Sequence, residues 1–578
     1  MSNPIPPSVE PAKAEVPLPV AKLPRRQLLL VYIASFLFVL FFQFLQGAYL
    51  SEFGGHPDEA AHCITGLFVH DAICTAGSWV GHGMHGSPVK IGKEFADHFY
   101  GAYPKIGLGI WPPFFYAVQS VWISVFSASR SSLLLLMAAI AAGLGVLLFK
   151  NLREEFGDYA AGTGLALFIS LPLIQNYSAM VMAEMLSGLL MFGAALSLGR
   201  FLDRRKTSDA ISFGLLAALA ILTKGTGLAL ALVALLSLLM TRKWELLRSL
   251  PLWGAGAIVA VLAGPWTWFF RNQGKGGWEE PSPSWHYTRA AFPYYLWKIA
   301  IALGLMLLLF AIAGFLSQAL KRRASTGKWS ALGALILSVC IFQSIAPAGR
   351  EARHLVPAIP ALLMFVFAGV QWLADYLTAR GWLKGRAQPA ICAGLLALFF
   401  VGGHAASSKP IGFGSVGDHL AFSPFVIRQK GYSGFAPVIT NLLSRSSSPA
   451  ILVSSDARGE GMLIAEAALS DPHRPSFIVQ RASKFMAAST WGGGSYQNYY
   501  ENEETLMKAL VDSPIQFLVI DFAVPAGYRK PHHEMLARLV VQHPEVFKPL
   551  QIEPILREGI KQDEPIHVCR VERGATGG

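Results

Sequence analysis

Apolar residues gather along this chain in repeated blocks of roughly 17 to 25, the length needed to cross a bilayer, and that repetition restricts the fold more than any other feature. With 53% hydrophobic and only 15% charged residues, such blocks predict a polytopic α-helical membrane protein. Spans are expected near 28-48, 132-149, 159-177, 183-199, 209-223, 226-240, 249-270, 293-318, 330-346, 355-378 and 388-404. Residues 1-24 are Pro-rich and lack a core-forming pattern, so they read as a disordered cytoplasmic tail. Arg25-Arg26 then precede an apolar run that is long for a signal-peptide core, and it reads as an uncleaved anchor with the N-terminus inside.

Charge sets the expected orientation. With eleven crossings, the loops assigned to the cytoplasm carry Lys150/Arg153, Arg200/Arg204/Arg205/Lys206, Arg242/Lys243/Arg248, Lys321/Arg322/Arg323/Lys328 and Arg380/Lys384/Arg386. All of them are basic, as the positive-inside rule requires. Because the net charge of +12 is distributed over these short clusters, it reflects topology, and no nucleic-acid partner is expected. The run from Trp111-Pro112-Pro113 to Phe126 is short and aromatic, and a crossing there would export every later basic cluster. It is therefore expected along the outer interface, with the prolines in the first turn of a helix.

These assignments divide the chain into the tail, a transmembrane domain over 25-405 with an exported first loop at 49-130, and an exported α/β domain over 406-578. In the last of these, Ile451-Leu452-Val453, Phe477-Ile478-Val479 and Phe517 to Ile520 read as buried strands. Helical patterns at Glu460 to Leu469, Glu503 to Val511 and His533 to Gln542 alternate with them, which predicts a largely parallel sheet. Ser454-Ser455-Asp456 and Gly459-Glu460-Gly461 admit a ligand-binding turn, and Trp491 to Tyr496 a mobile loop able to touch a sugar. Ordinary turn chemistry in a stabilising domain is the plainer reading of both.

The first loop opens with His56-Pro57-Asp58-Glu59-Ala60-Ala61-His62. Adjacent carboxylates at a membrane surface are costly unless they pair, bind a cation or take a proton, so they mark a candidate site. Pro57 suits the first position of a helix, with Asp58 and His62 four residues apart on one face, able to act as a general base or hold a divalent cation. His82 and His85 have metal-like spacing, but their glycine neighbours favour a loop. Cys63 and Cys74 share the same loop and admit a pairing. Glu184 is the only acid between Tyr159 and Leu198 and is expected at the outer face, as are Lys224 and the Arg350-Glu351-Ala352-Arg353-His354 turn. The acids Asp58, Glu59 and Glu184 and the bases Lys105, Lys224 and Arg353 are thus expected to converge on one outer cavity suited to a lipid phosphate and a hydroxyl acceptor.

Asp58-Glu59 after the first span, Pro112-Pro113, Glu184 opening a later span, Thr223-Lys224-Gly225, and Arg353 with Pro357 and Pro360 follow one another along residues 25 to 400. In that order the chain resembles the polyprenyl-phosphate-sugar-dependent glycosyltransferases of the GT-C fold, similar to protein O-mannosyltransferases and the lipid A aminoarabinose transferase. The resemblance implies a GT-C type protein of about eleven transmembrane helices with juxtamembrane helices and a C-terminal soluble α/β domain, in a bacterial inner membrane. It implies inverting transfer from a polyprenyl-phosphate-sugar donor to a lipid, glycan or protein hydroxyl at the outer face. Asp58 would deprotonate or orient the acceptor and Glu184 would assist. Glu59, His62, Lys105, Lys224, Arg353 and His354 would bind substrate, with Lys224 and Arg353 on the lipid phosphate. The family commonly has Lys before the Pro-Pro pair where this chain has Trp111, which would shift that contact to Lys105, and it often has Asp at Glu184. Metal dependence varies among GT-C relatives, so a divalent cation is left open. The competing reading is a transporter or flippase with Asp58, Glu184 and Lys224 as gating charges, but no repeat of span lengths accompanies it and the charges cluster at one face.

Overall fold

The computed structural model describes residues 23–81, 87–320, 327–383, 386–405, 419–488 and 495–573. His82, His85, Trp491 to Gly494 and the basic Lys321/Arg322/Arg323 cluster lie outside them. All eleven expected spans are helical, and among the described residues six helices are by themselves long and apolar enough to cross a membrane: Arg25–Leu45, Arg130–Phe156, Glu184–Arg204, Trp285–Leu320, Gly327–Ile345 and Ala352–Ala379. The others are shorter or broken, as at Asp158–Ser170 followed by Pro172–Ser178, and Leu250–Leu262 followed by Gly264–Phe269. Proline at the start of each second piece supplies the break, because it lacks the amide that would continue the hydrogen-bond ladder.

Small residues set the closest helix contact. A side chain on Gly314 would collide with the Phe365 carbonyl, and one on Gly369 with the Phe310 carbonyl, so the helices Trp285–Leu320 and Ile359–Ala379 touch backbone to backbone. Trp285–Leu320 is itself interrupted at Gly304, whose φ of 70° is accessible to glycine at little cost. There Leu305 and Met306 donate to the carbonyls of Ala421 and Phe422, so the segment leading into the C-terminal region is stitched into the bundle.

The first loop forms three helices, Glu59–Gly81, Pro88–Ala102 and Phe114–Val125. The last has 12 residues and is about 18 Å long, short of the roughly 30 Å hydrocarbon core. Both proline expectations shift by a few residues. Glu59 is the first helical residue and the His62 amide donates to the Asp58 carbonyl, so Pro57 precedes the helix. Likewise Pro113 caps Phe114–Val125 from outside. Cys63 and Cys74 are both free and stand on one helix, about 16 Å apart along its axis, which precludes pairing.

The C-terminal region contains a five-stranded sheet. Its strands are β1 (Ala450–Ser454), β2 (Ile478–Arg481), β3 (Phe517–Asp521), β4 (Phe547–Glu553) and β5 (Ile566–Val571), in the order β2-β1-β3-β5-β4. The three strands recognised in the sequence pair in parallel, and the three expected helices are present at Ala457–Ser470, Glu503–Asp512 and Pro531–Gln542. The sheet is mixed, however, because β5 pairs antiparallel with both β3 and β4. β4 escapes a hydrophobic reading because it is an edge strand, half exposed and interrupted by Pro549 at a register shift.

Buried polar contacts fasten this region to the first loop. Glu52 accepts the amides of Gly434, Phe435 and Ala436 at 2.9 to 3.1 Å, Tyr103 donates to Asp471 at 2.5 Å, and Arg474 pairs with Asp71 at 2.8 Å.

Candidate active site

Asp58 stands where the chain turns into the helix Glu59–Gly81, and its carboxylate lines a cavity of about 320 Å³. Arg353 donates to its Oδ2 at 2.8 Å, and His56 Nδ1 accepts the Asp58 amide at 3.1 Å. Burial alone would raise the Asp58 pKa, but Arg353, His56 and His62 hold it well below the ordinary carboxylate value. The group is therefore ionised across the physiological range.

Arg353 is the hub of the site. Besides Asp58 it contacts Glu351 at 2.9 Å and lies 3.6 Å from Glu184. Glu351 reaches His56 at 3.2 Å and so closes a ring of four side chains with Asp58. Glu184, at the N-terminus of Glu184–Arg204 where the helix dipole favours an anion, accepts from Lys224 Nζ at 2.6 Å. Lys224 occupies the break between Thr207–Thr223 and the short turn Gly225–Leu228, and its extended backbone (φ −158°, ψ 142°) ends the first helix there.

The remaining expected residues divide between the cavity and other places. His354 lines the cavity and meets the Tyr295 hydroxyl at 3.0 Å. His62 lies behind the wall, with Nδ1 2.8 Å from the Tyr116 hydroxyl and its ring stacked on Trp111 at 4.3 Å. Burial lowers its pKa to about 4, despite the attraction of Asp58, which leaves a neutral ring at pH 7. Trp111 itself lines the cavity, so the position before the Pro-Pro pair supplies an aromatic wall instead of a charge.

Glu59 and Lys105 are placed elsewhere. The Glu59 carboxylate is fully buried and accepts from Arg130 at 2.9 Å, the Val181 amide at 3.1 Å and the Gly55 amide at 3.0 Å. Arg130 also donates to the carbonyls of Ala48, Ser51 and Ala179, so this pair clamps the first loop to the segment that leads into Glu184. Lys105 Nζ lies 3.3 Å from the Ala457 carbonyl at the junction with the C-terminal region, where burial lowers its pKa to about 7. Among the described residues no group of three or more His, Cys, Asp or Glu side chains is arranged to hold a metal ion.

Three contributors were not expected from the sequence. Glu351 is one, and the cavity-lining Arg271 and Lys275 are the others, carried on the loop after Gly264–Phe269. The visible signal was a basic pair between two apolar blocks, those near 249-270 and 293-318. With Trp266, Phe270, Trp278 and Phe342, these residues give the cavity a wall of several aromatic rings edged by cations.

Residues 111–269 match the family profile described as dolichyl-phosphate-mannose-protein mannosyltransferase. The structure superposes on ArnT from Cupriavidus metallidurans bound to undecaprenyl phosphate with a TM-score of 0.53 at 14% identity, covering 96% of this chain and 100% of that one. The apo form of the same protein gives 0.53 at 15% identity, covering 96% and 99%. The chain has the GT-C fold. The oligosaccharyltransferase AglB from Archaeoglobus fulgidus gives a TM-score of 0.48 at 14% identity, covering 86% of this chain and 69% of that one. No curated protein sequence matches significantly. Within this GT-C chain the family profile takes in Trp111, Glu184 and Lys224, whereas Asp58 and Arg353 lie outside the matched stretch and join the site only through the fold.

Proposed function

We propose that the protein is a multi-pass membrane glycosyltransferase that moves a sugar from a polyprenyl-phosphate donor to a hydroxyl acceptor. One observation carries the reading. An ionised carboxylate, Asp58, shares a single aromatic-lined cavity with Arg353, Lys224, Arg271 and Lys275. A lipid-phosphate donor needs that combination: cations for the phosphate and an anionic acceptor for the hydroxyl proton. The family profile described for a dolichyl-phosphate-mannose enzyme, and the shared fold of an ArnT solved with undecaprenyl phosphate, support the choice of donor.

In this reading Asp58 accepts a hydrogen bond from the acceptor hydroxyl and takes its proton as the oxygen attacks the anomeric carbon. The bond from that carbon to the phosphate oxygen breaks, and polyprenyl phosphate leaves as an anion facing Lys224 and Arg353. One displacement inverts the anomeric configuration. Glu184 holds Lys224 in place and His354 shapes the wall beside it. We assign the phosphate charge to Lys224 and Arg353, the cations already paired with Glu184 and Asp58 in the cavity wall. The reaction faces the outer side of the inner membrane, with the N-terminus cytoplasmic and the sheet domain periplasmic.

The test is transfer from radiolabelled polyprenyl-phosphate sugar in membranes. Asp58→Asn is expected to reduce transfer by about 10² to 10⁴ with the protein still folded, and EDTA to leave wild-type transfer intact. Full activity in Asp58→Asn defeats the assignment, and substrate flux without any glycosylated product would point to a transporter.

A further inference from the structure

The C-terminal sheet has a cavity of its own, of about 340 Å³, at the carboxyl ends of its parallel strands. β1 is flanked by β2 on one side and β3 on the other; the connection after β1 runs to β2 and the connection after β3 runs the opposite way, towards β4, so the chain reverses direction between β1 and β3. In open α/β sheets the crevice at such a reversal is where ligands bind. Here it is built from the residues after β1, the loop after β3 and the short hairpin Leu556–Arg557/Ile560–Lys561. Its volume lies within the range of small-ligand sites, about 300 to 1,000 Å³.

The lining selects a ligand class. Asp456, Arg458, Arg557 and Glu558 supply two carboxylates and two guanidinium groups, and Tyr432 and Tyr528 supply two aromatic rings. Carboxylates only accept hydrogen bonds and guanidinium groups only donate, so a partner for both must carry groups that do each. Hydroxyls do. An inorganic anion would meet Asp456 and Glu558, and a polyamine would meet the two arginines.

The groups are also held in place. Arg458 donates to the Tyr432 hydroxyl at 3.2 Å, which donates to Glu558 at 3.0 Å, and the Arg458 guanidinium lies 5.5 Å from the Tyr432 ring centroid. Arg557 is anchored from behind by the buried Asp521, which also accepts from Ser455 at 2.5 Å. Tyr528 is left 60% exposed at the mouth, where its ring can cover the apolar face of a sugar.

We propose that this cavity is a saccharide-binding site, separate from the cavity that holds Asp58. Met462, on its wall, packs against Gly54, four residues before Asp58, so a bound glycan would sit one side-chain layer from the loop that carries the carboxylate. The assignment does not depend on the transferase reading, because binding is measured without turnover.

Saturation-transfer NMR on the full-length protein in detergent, with neutral gluco-, galacto- and mannotrisaccharides as probes, tests the proposal. At least one trisaccharide is expected to bind saturably. Tyr528→Ala and Glu558→Gln, both at exposed positions, should each weaken that binding about tenfold, or about 1.4 kcal/mol, while Asp58→Asn leaves it unchanged. Three results would overturn the site: no trisaccharide binds, inorganic phosphate binds in their place, or binding survives both pocket variants and disappears in Asp58→Asn.

Discussion

The Arg353 guanidinium lies 2.8 Å from the Asp58 carboxylate across 295 residues of sequence, and through the same group it reaches Glu351 and Glu184. One cation therefore holds three anions at the wall of the cavity, and the charge state of the site depends on it.

Replacing Arg353 tests that dependence. Arg353→Ala leaves Asp58 and Glu184 short of a buried counter-charge and is expected to cost about 3 to 5 kcal/mol of stability together with activity. Arg353→Lys keeps the charge but loses the planar fork that serves several carboxylates at once. It should fold, with kcat reduced on the order of 10² to 10³ in the polyprenyl-phosphate transfer assay. Near wild-type kcat in the lysine variant would show that the fork is dispensable.

Glu59 and Asp58 are adjacent, and the structure predicts opposite phenotypes for them. Glu59→Gln breaks the buried pair with Arg130 and should lower the thermal unfolding midpoint strongly, by a free-energy loss of about 3 to 5 kcal/mol. Asp58→Asn leaves Arg353 paired with Glu351 and Glu184, so it should lower the midpoint much less than Glu59→Gln while reducing transfer by about 10² to 10⁴. Melting curves in detergent beside the transfer assay separate the two, and a stable but inactive Glu59→Gln protein would return Glu59 to the chemistry.

His62 links stability to acid. Its folded pKa of about 4 lies below the ordinary histidine value of 6.5, so the folded state binds fewer protons than the unfolded state between those values. The stability it contributes is complete above about 6.5 and is lost as pH falls through about 4. His62→Gln should flatten the slope of unfolding free energy against pH in that window; an unchanged slope would assign it to other groups.

Glu466 acts in the opposite direction. Burial, with Glu52 nearby, raises its pKa to about 8, so the folded state binds more protons than the unfolded state between about 4.5 and 8. Its contribution is complete below about 4.5 and is lost as pH rises through about 8. Glu466→Gln, which stays neutral, should raise the melting temperature at pH 8 and leave it unchanged at pH 4. A lower midpoint at pH 8 would contradict the protonated assignment.

The sequence by itself determined the helical segments, the short aromatic helix after Trp111, the parallel half of the C-terminal sheet, and the convergence of Asp58, Glu184, Lys224 and Arg353. Hydrophobic length and the cost of charge near a bilayer are local properties, so they can be read without coordinates. Only the tertiary structure decided which carboxylate of the Asp58-Glu59 pair faces the cavity. Successive residues at a helix start project about 100° apart, so one acid turned to the site and the other to Arg130. Tertiary structure also placed Lys105 against the sheet domain, brought Glu351 to Arg353, and added the antiparallel edge of the sheet. Each of these rests on an encounter between segments far apart in the chain, and a pairing of that kind leaves no periodicity for the sequence to reveal.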